Sequence, residues 1–361
     1  MASSVPAHRR LRALSIGHDE EVKRREFVAG SGSVAVAALL LDLPDFRVGM
    51  ADVRRLQAGL AQLYEVDHRQ GGIPAQVRAR ELRRQITHAL TTGACTGQVS
   101  HALQTMACEL ACHRAWFAYD GGYGRRLDQA RAACAEAMAA AQLVDSPLLQ
   151  VRALNSLALI AVEAGHDWEA RSAVERAYSL ARHAGAGATV HLVIALREAN
   201  AANRAGELTT ARRALSRAMA FQARTDGDRD VPRWARFAGQ VEIDYATAAW
   251  HRRAGQSRRA LPFLRAAVDG LGGGYTRNTA WYRTRLAQTL LDVGDVEEAC
   301  AEVTGVLDAC GRVSSRRLRR RLHDFAGAAT GTGAAVARGP VDRIRDALGA
   351  PGELPRVRRR P

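Results

Sequence analysis

The chain has 361 residues, 47% of them hydrophobic but only 5% aromatic, and a formal net charge of +15 at pH 7. Most apolar mass is therefore Ala, Leu and Val; Ala and Leu are strong helix formers, and Ala lets helices approach closely. Windows of Val, Ile, Thr and aromatics bounded by turn signals are missing, which excludes a sheet-built domain and leaves helices packed on helices.

The length allows two compact domains or one extended array. The positive charge is arginine, with Lys23 the one lysine. Arginines interleaved with Asp and Glu read as the solvated, salt-bridged faces of helices, although guanidinium groups also suit phosphate and carboxylate. Six cysteines (Cys95, Cys108, Cys112, Cys134, Cys300, Cys310) form no paired framework and sit in Ala-rich helical patterns, which points to a reducing, cytoplasmic compartment. No window approaches a transmembrane helix in length, so no membrane partner is expected.

Residues 1–46 read as a leader or linker. Within them Lys23-Arg24-Arg25-Glu26-Phe27-Val28 precedes the apolar run Val34 to Leu41, an arrangement similar to a twin-arginine export signal. Asp19-Glu20-Glu21 before the arginines, and the lack of a small-x-small site after the run, favour a segment that packs on the first repeat over an exported leader. Residues 47–92 carry two helical patterns, about 51–67 and 75–91, split by Gly71-Gly72-Ile73-Pro74.

Residues 93–325 are predicted to hold five helical hairpins and a C-terminal capping helix. The hairpins turn at Gly122, Gly165, Gly206, Gly255 and Gly294. Seven residues before each glycine stands an alanine (Ala115, Ala158, Ala199, Ala248, Ala287). Five after it come Leu127, Ala170, Ala211, Ala260 and Ala299, and twelve after it Cys134, Ala177, Ala218, Ala267 and Val306. Glycine ends the first helix in a left-handed conformation, and small residues let the two helices cross closely. These offsets look like the tetratricopeptide repeat, so the fold class expected is an all-α superhelical solenoid. The intervals of 43, 41, 49 and 39 residues between glycines exceed that repeat's usual period, which predicts long helices and irregular connectors such as Thr225 to Pro232 and Gly270 to Gly274.

The capping helix runs from Arg316 to Phe325, with Leu318 and Leu322 on its inner face. Residues 326–361 are expected to be a flexible Gly/Ala/Thr linker over 327–339, a short amphipathic helix from Val341 to Leu348 and the tail Arg356-Val357-Arg358-Arg359-Arg360.

Three pieces in order are similar to the C-terminal region of actinobacterial Xre-type helix-turn-helix regulators: Arg24-Arg25-Glu26-Phe27, the element Leu63…Asp67-His68-Arg69-Gln70-Gly71-Gly72, and Ala115-Trp116-Phe117-Ala118-Tyr119-Asp120, followed by the hairpins. The resemblance covers roughly residues 23–325. It implies a helical sensor of a ligand or partner that works in transcriptional regulation behind a DNA-binding domain. Only 22 residues precede Lys23, too few for such a domain, so direct DNA binding by this stretch is not expected. The expected partners are a protein, a peptide or a small ligand, or a second copy of the chain.

No catalytic constellation stands out, and no cofactor is implied. Cys108 and Cys112, one turn apart with His101 and His113 near, offer at most half a metal site and read better as core thiols. Asp226, Asp228 and Asp230 alternate like a calcium loop, but Val231 and Phe237 occupy the positions that need Gly and Glu. Gly327 to Gly333 lacks the Lys-Ser/Thr of a phosphate loop.

The candidate site is the concave stripe ten, six and three residues before each turn glycine. Its polar and aromatic members are Trp116, Tyr119, Asn155, Asn200, Asn203, Tyr245, Arg252 and Gln288. The amides and the guanidinium suit a peptide backbone or a carboxylate, and the rings suit apolar groups. Arg316, Arg317, Arg319, Arg320 and Arg321 form the densest basic patch, which reads either as the solvated face of a capping helix or as a contact for nucleic acid or an acidic partner; it has no interleaved aromatics for stacking bases. The alternative to the sensor reading is a DNA-associated regulator that acts through such arginine patches or through a helix-turn-helix upstream of this stretch.

Overall fold

Gly165, Gly206, Gly255 and Gly294 all adopt left-handed φ, between 72° and 92°. At each one the glycine N–H bonds the carbonyl three residues back, and the next residue's N–H bonds the carbonyl five back, as in His166 to Ala161 at 2.9 Å and Asp295 to Leu290 at 2.9 Å. This pairing closes the last turn of a helix and reverses the chain. The turn expected at Gly122 lies outside the described residues. The computed structural model describes residues 47–70, 72–121, 125–271, 276–310 and 315–348. The twin-arginine-like leader, Gly272 to Gly274 and the basic tail also fall outside them.

Among the described residues there are fourteen α-helices. They are α1 (Met50–Gln70), α2 (Gly72–Thr92), α3 (Gly97–Asp120), α4 (Arg125–Leu143), α5 (Pro147–Ala164), α6 (Asp167–His183), α7 (Ala188–Ala205) and α8 (Leu208–Gln222). The order continues with α9 (Gln240–Arg253), α10 (Ser257–Asp269), α11 (Thr276–Val293), α12 (Val296–Cys310), α13 (Arg316–Gly331) and α14 (Arg338–Leu348). The chain is an all-α solenoid of tetratricopeptide-like hairpins, α3–α4 through α11–α12, preceded by the pair α1–α2. Thr96, Ser146 and Ser315 cap α3, α5 and α13, each hydroxyl accepting from the backbone N–H three residues on, at 3.3, 3.4 and 3.3 Å.

The repeated small residues sit where the helices cross. Ala115, Ala158, Ala199, Ala248 and Ala287 are buried, as are Ala170, Ala211, Ala260 and Ala299 and the residues twelve after each glycine. Larger apolar clusters close the two ends, one from Val48 to Phe117 and one from Ala248 to Ile344. Successive hairpins are also stitched by ion pairs: Arg131–Glu169 at 2.8 Å, Arg171–Glu207 at 2.5 Å and Arg265–Glu298 at 2.7 Å. These partly solvated links contribute about 0–1 kcal/mol each.

The structure corrects several expectations. Residues 327–331, read as linker, continue α13 because Ala326 and Ala329 are buried on the same face as Leu322. A 3-10 turn over Ala335–Ala337 then leads into α14, whose Val341 and Ile344 are buried in the C-terminal cluster. Asp228 is not a free loop residue. It accepts from the N–H groups of Ala188 and Thr189 at 2.9 and 2.7 Å and from the Thr189 hydroxyl at 2.6 Å, capping α7 from forty residues away. Among the described residues one helix, α5, is long and apolar enough to cross a membrane by length and composition, with a mean hydropathy of 1.2; 56% of it is buried in the solenoid core.

Candidate functional site

The superhelix coils far enough for its first and last parts to meet. Asp67 near the end of α1 and Asp120 at the end of α3 converge on Arg277 in the first turn of α11, at 3.1 and 3.6 Å. Trp116 donates its indole N–H to Asp67 at 2.9 Å and lies under the Arg277 guanidinium, 4.9 Å from ring centre to Cζ. Asp120 also accepts from the Ser315 hydroxyl at 2.9 Å and from the Gly72 N–H at 3.2 Å. Asp67, Asp120, Arg277 and Ser315 are all buried. Burial pushes the Asp67 carboxyl up to about 6, with Asp120 adding to it and Arg277 and Trp116 opposing. Asp67, Gly72, Trp116 and Asp120 thus form one side of this clasp.

The clasp changes the expected open groove into a chamber of about 860 Å³. That volume lies in the upper part of the range for ligand pockets, about 300–1,000 Å³. Its helical wall comes from α1, α3, α5, α7, α9, α11 and α13, so the first helix of each hairpin faces in and the second faces out. The connector residues Arg233 to Phe237 close part of one side.

Seven of the eight predicted groove residues line the chamber: Trp116, Tyr119, Asn155, Asn200, Asn203, Tyr245 and Arg252. Gln288 does not. Helix α13 lies over that part of α11, and the Gln288 amide donates to the Arg321 carbonyl at 3.2 Å. The wall there is made instead by Arg277, Trp281 and Arg285.

The predicted basic patch is divided. Arg317 and Arg321 turn inward and line the chamber. Arg317 lies over the rings of Tyr119 and Trp281 at 3.9 and 4.3 Å, and Arg321 lies 3.2 Å over Trp281. The Arg321 guanidinium also donates to the Tyr245 hydroxyl and the Trp281 carbonyl, both at 3.2 Å. Arg319 binds the Leu348 carbonyl at the end of α14, and Arg320 is exposed. The patch loses two of its five charges to the interior because aromatic faces and carbonyls there accept guanidinium groups.

Sequence reasoning missed Arg152, Arg197, Glu242, Trp281 and Arg285. A simple extension of the stripe would have found them. Thirteen residues before the turn glycines stand Arg152, Val193, Glu242 and Trp281, and nine before them Ser156, Arg197, Ala246 and Arg285; all line the chamber. Offsets of three and four residues keep a helix on one face, so the inner stripe is a full turn longer than the three positions taken.

Eleven arginines and five carboxylates line the wall. Several carboxylates are already engaged: Asp67 and Asp120 in the clasp, and Glu242 by the Tyr282 hydroxyl at 2.6 Å. Burial opposes ionisation of Tyr245, but Arg321 and Arg285 outweigh it and bring the phenol down to about 8. Of the twelve buried side-chain polar atoms that make no hydrogen bond among the described residues, eight belong to lining residues. They include both amide atoms of Asn155, Oδ1 of Asn203 and Nε of Arg197 and Arg252.

Cys108 is a buried thiol that donates to the Ala137 carbonyl at 3.2 Å, while Cys112 reaches the chamber wall. His113 meets Arg152 at 3.1 Å, and His101 is exposed on α3. Among the described residues no group of His, Cys, Asp and Glu is arranged to hold a metal ion.

No family model and no curated protein matches the chain. Among solved structures it is similar to the crystal structure of a Rap protein complexed with competence and sporulation factor, with a TM-score of 0.49 and 10% identity over 82% of this chain and 99% of that one.

Proposed function

We propose that the chain is a non-enzymatic regulatory sensor or adaptor that holds a small ligand or short peptide inside its chamber. One observation carries this reading. Buried polar groups are almost always hydrogen-bonded, and here most of those that make no hydrogen bond among the described residues belong to side chains that line the chamber. A bound polar ligand satisfies them. Asn155 and Asn203 present amides of the kind that pair with a peptide backbone, between the rings of Trp116, Tyr119 and Tyr245. Transcriptional regulation is the setting implied by the resemblance to Xre-type regulators. The cytoplasm fits the five described cysteines, all free.

The test is native mass spectrometry of the full chain purified from its own cells, alongside Asn155→Leu/Asn203→Leu. The expected result is an adduct in the wild type, of discrete mass, that the double variant loses while its circular dichroism stays helical. A wild-type chain that carries no adduct, and whose Tm no peptide or metabolite pool extracted from those cells shifts, overturns the reading.

A further inference from the structure

The chamber wall is not evenly charged. On the side built by α7, α11 and α13, Arg197, Arg285, Arg317 and Arg321 face the space without a carboxylate ion pair among the described residues. Arg197 makes no hydrogen bond there and lies 6.0 Å from the Phe237 ring. Arg285 spends one N–H on the side-chain amide oxygen of Gln288 at 3.0 Å. Arg317 rests on two aromatic faces, and Arg321 is shared between a phenol and a backbone carbonyl. Each guanidinium has five donors, and most of them make no hydrogen bond to the described residues.

Their charges work against one another. After burial itself, Glu242 and Tyr119 raise the proton affinity of Arg197 while Arg317 lowers it; for Arg321, Tyr245 raises it while Arg285 and Arg317 lower it. Arg317 itself is held above its ordinary value, against burial, by Tyr119, Glu163 and Asp120. Like charges held together in a partly desolvated space repel strongly, because the effective dielectric is well below that of water. The ring and carbonyl contacts of Arg317 and Arg321 tie α13 to its neighbours, but the mutual repulsion of guanidinium groups on separate helices opposes the fold. An oxyanion placed among them reverses the sign of the interaction and supplies acceptors in the planar geometry that guanidinium groups match.

We infer that the wall formed by Arg197, Arg285, Arg317 and Arg321 is an oxyanion subsite, which takes a phosphate or clustered carboxylate group of the chamber's ligand. The inference rests on the chamber being a ligand site. Trp281 and Tyr245 fix the positions of Arg317 and Arg321 before the ligand arrives, so little side-chain freedom is lost on binding. Asn200 and Asn203, on the same helix as Arg197, are left to hold the neutral part of the ligand.

The experiment titrates the full chain by calorimetry with pyrophosphate, inorganic phosphate and citrate at constant ionic strength. The comparison is among wild type, Arg197→Met/Arg317→Met, Arg285→Met and Arg259→Met, the last on the exposed face of α10. The expected result is saturable binding of at least one multiply charged probe, weakened tenfold or more in the two chamber variants and unchanged in Arg259→Met. Preference for pyrophosphate over citrate, or the reverse, assigns phosphate or carboxylate as the source. If the double variant fails to fold, Arg285→Met alone carries the test. Equal weakening in Arg259→Met overturns the subsite in favour of general attraction to a chain of charge +15. If no anion binds but a neutral or cationic adduct is retained from cells, the subsite falls while the sensor reading stands; absence of both removes the two together.

Discussion

Arg277 in the first turn of α11 places Nη2 3.1 Å from Oδ2 of Asp67, 210 residues earlier on α1. This contact joins the two ends of the coil, and both groups are buried. Removing the cation leaves Asp67 and Asp120 facing each other without compensation. Breaking a buried ion pair from one side costs about 3–5 kcal/mol. Arg277→Met is therefore expected to lower the urea unfolding free energy at pH 7.5 by that amount. Small-angle scattering is expected to show a larger radius of gyration as the coil opens. A loss under about 1 kcal/mol with unchanged dimensions would mean that packing alone holds the ends together.

The same aspartate gives the clasp a pH dependence. Its folded-state value of about 6 lies above the roughly 3.9 of a free Asp. Between those values the folded chain binds more protons than the unfolded one, so stability falls as pH rises through this window. The ionised carboxylate costs about 3 kcal/mol above pH 6 relative to an unperturbed group. Asp67→Asn removes the titration while keeping an oxygen acceptor for Trp116. The stability of the wild type minus that of the variant should fall by about that amount from pH 4 to pH 7, measured by urea unfolding at each pH. A flat difference would sink the idea.

The turn glycines and crossing alanines were legible because each is set within one hairpin, by local backbone geometry and one close helix contact. The clasp was not, although Asp67 and Trp116 were both singled out. Nothing local tells an Asp on α1 that its partner is an Arg 210 residues on. The inward face of α13 was hidden for a different reason. Arg317 and Arg321 form an i, i+4 stripe beside that of Leu318 and Leu322, but arginines in a run read as solvated until the rings of Tyr119 and Trp281 are known to lie opposite. Gln288 failed because its stripe position is the one that the capping helix covers.

Gly165 and Gly327 separate backbone strain from packing. A Cβ on either meets nothing within 4 Å, but Gly165 has φ of 75° while Gly327 lies inside the helix α13. Gly165→Ala should destabilise by about 1–2 kcal/mol, the cost of a left-handed L-residue. Gly327→Ala should stabilise by about 0.5–1 kcal/mol, since alanine loses less backbone freedom in a helix. Opposite shifts in Tm are the expected outcome; shifts of the same sign would show that the hairpin turn tolerates a side chain.

Asp228 and Gly187 offer a test of how the irregular connector is tied to the solenoid. The carboxylate caps α7 through three hydrogen bonds, and they keep its pKa below the usual aspartate value although burial acts the other way. A Cβ at Gly187 would stand 2.6 Å from Oδ1 and 2.7 Å from Cγ of that carboxylate. Gly187→Ala therefore has to expel the cap or shift the start of α7, so it should act through the same interaction as Asp228→Ala. Each single change is expected to cost about 1–2 kcal/mol, the usual loss of an N-cap. Each should also raise amide exchange at Ala188 and Thr189. The double variant should cost little more than either alone, because a cap already lost cannot be lost twice. Additive losses would show that Gly187 serves α7 by some route other than making room for Asp228.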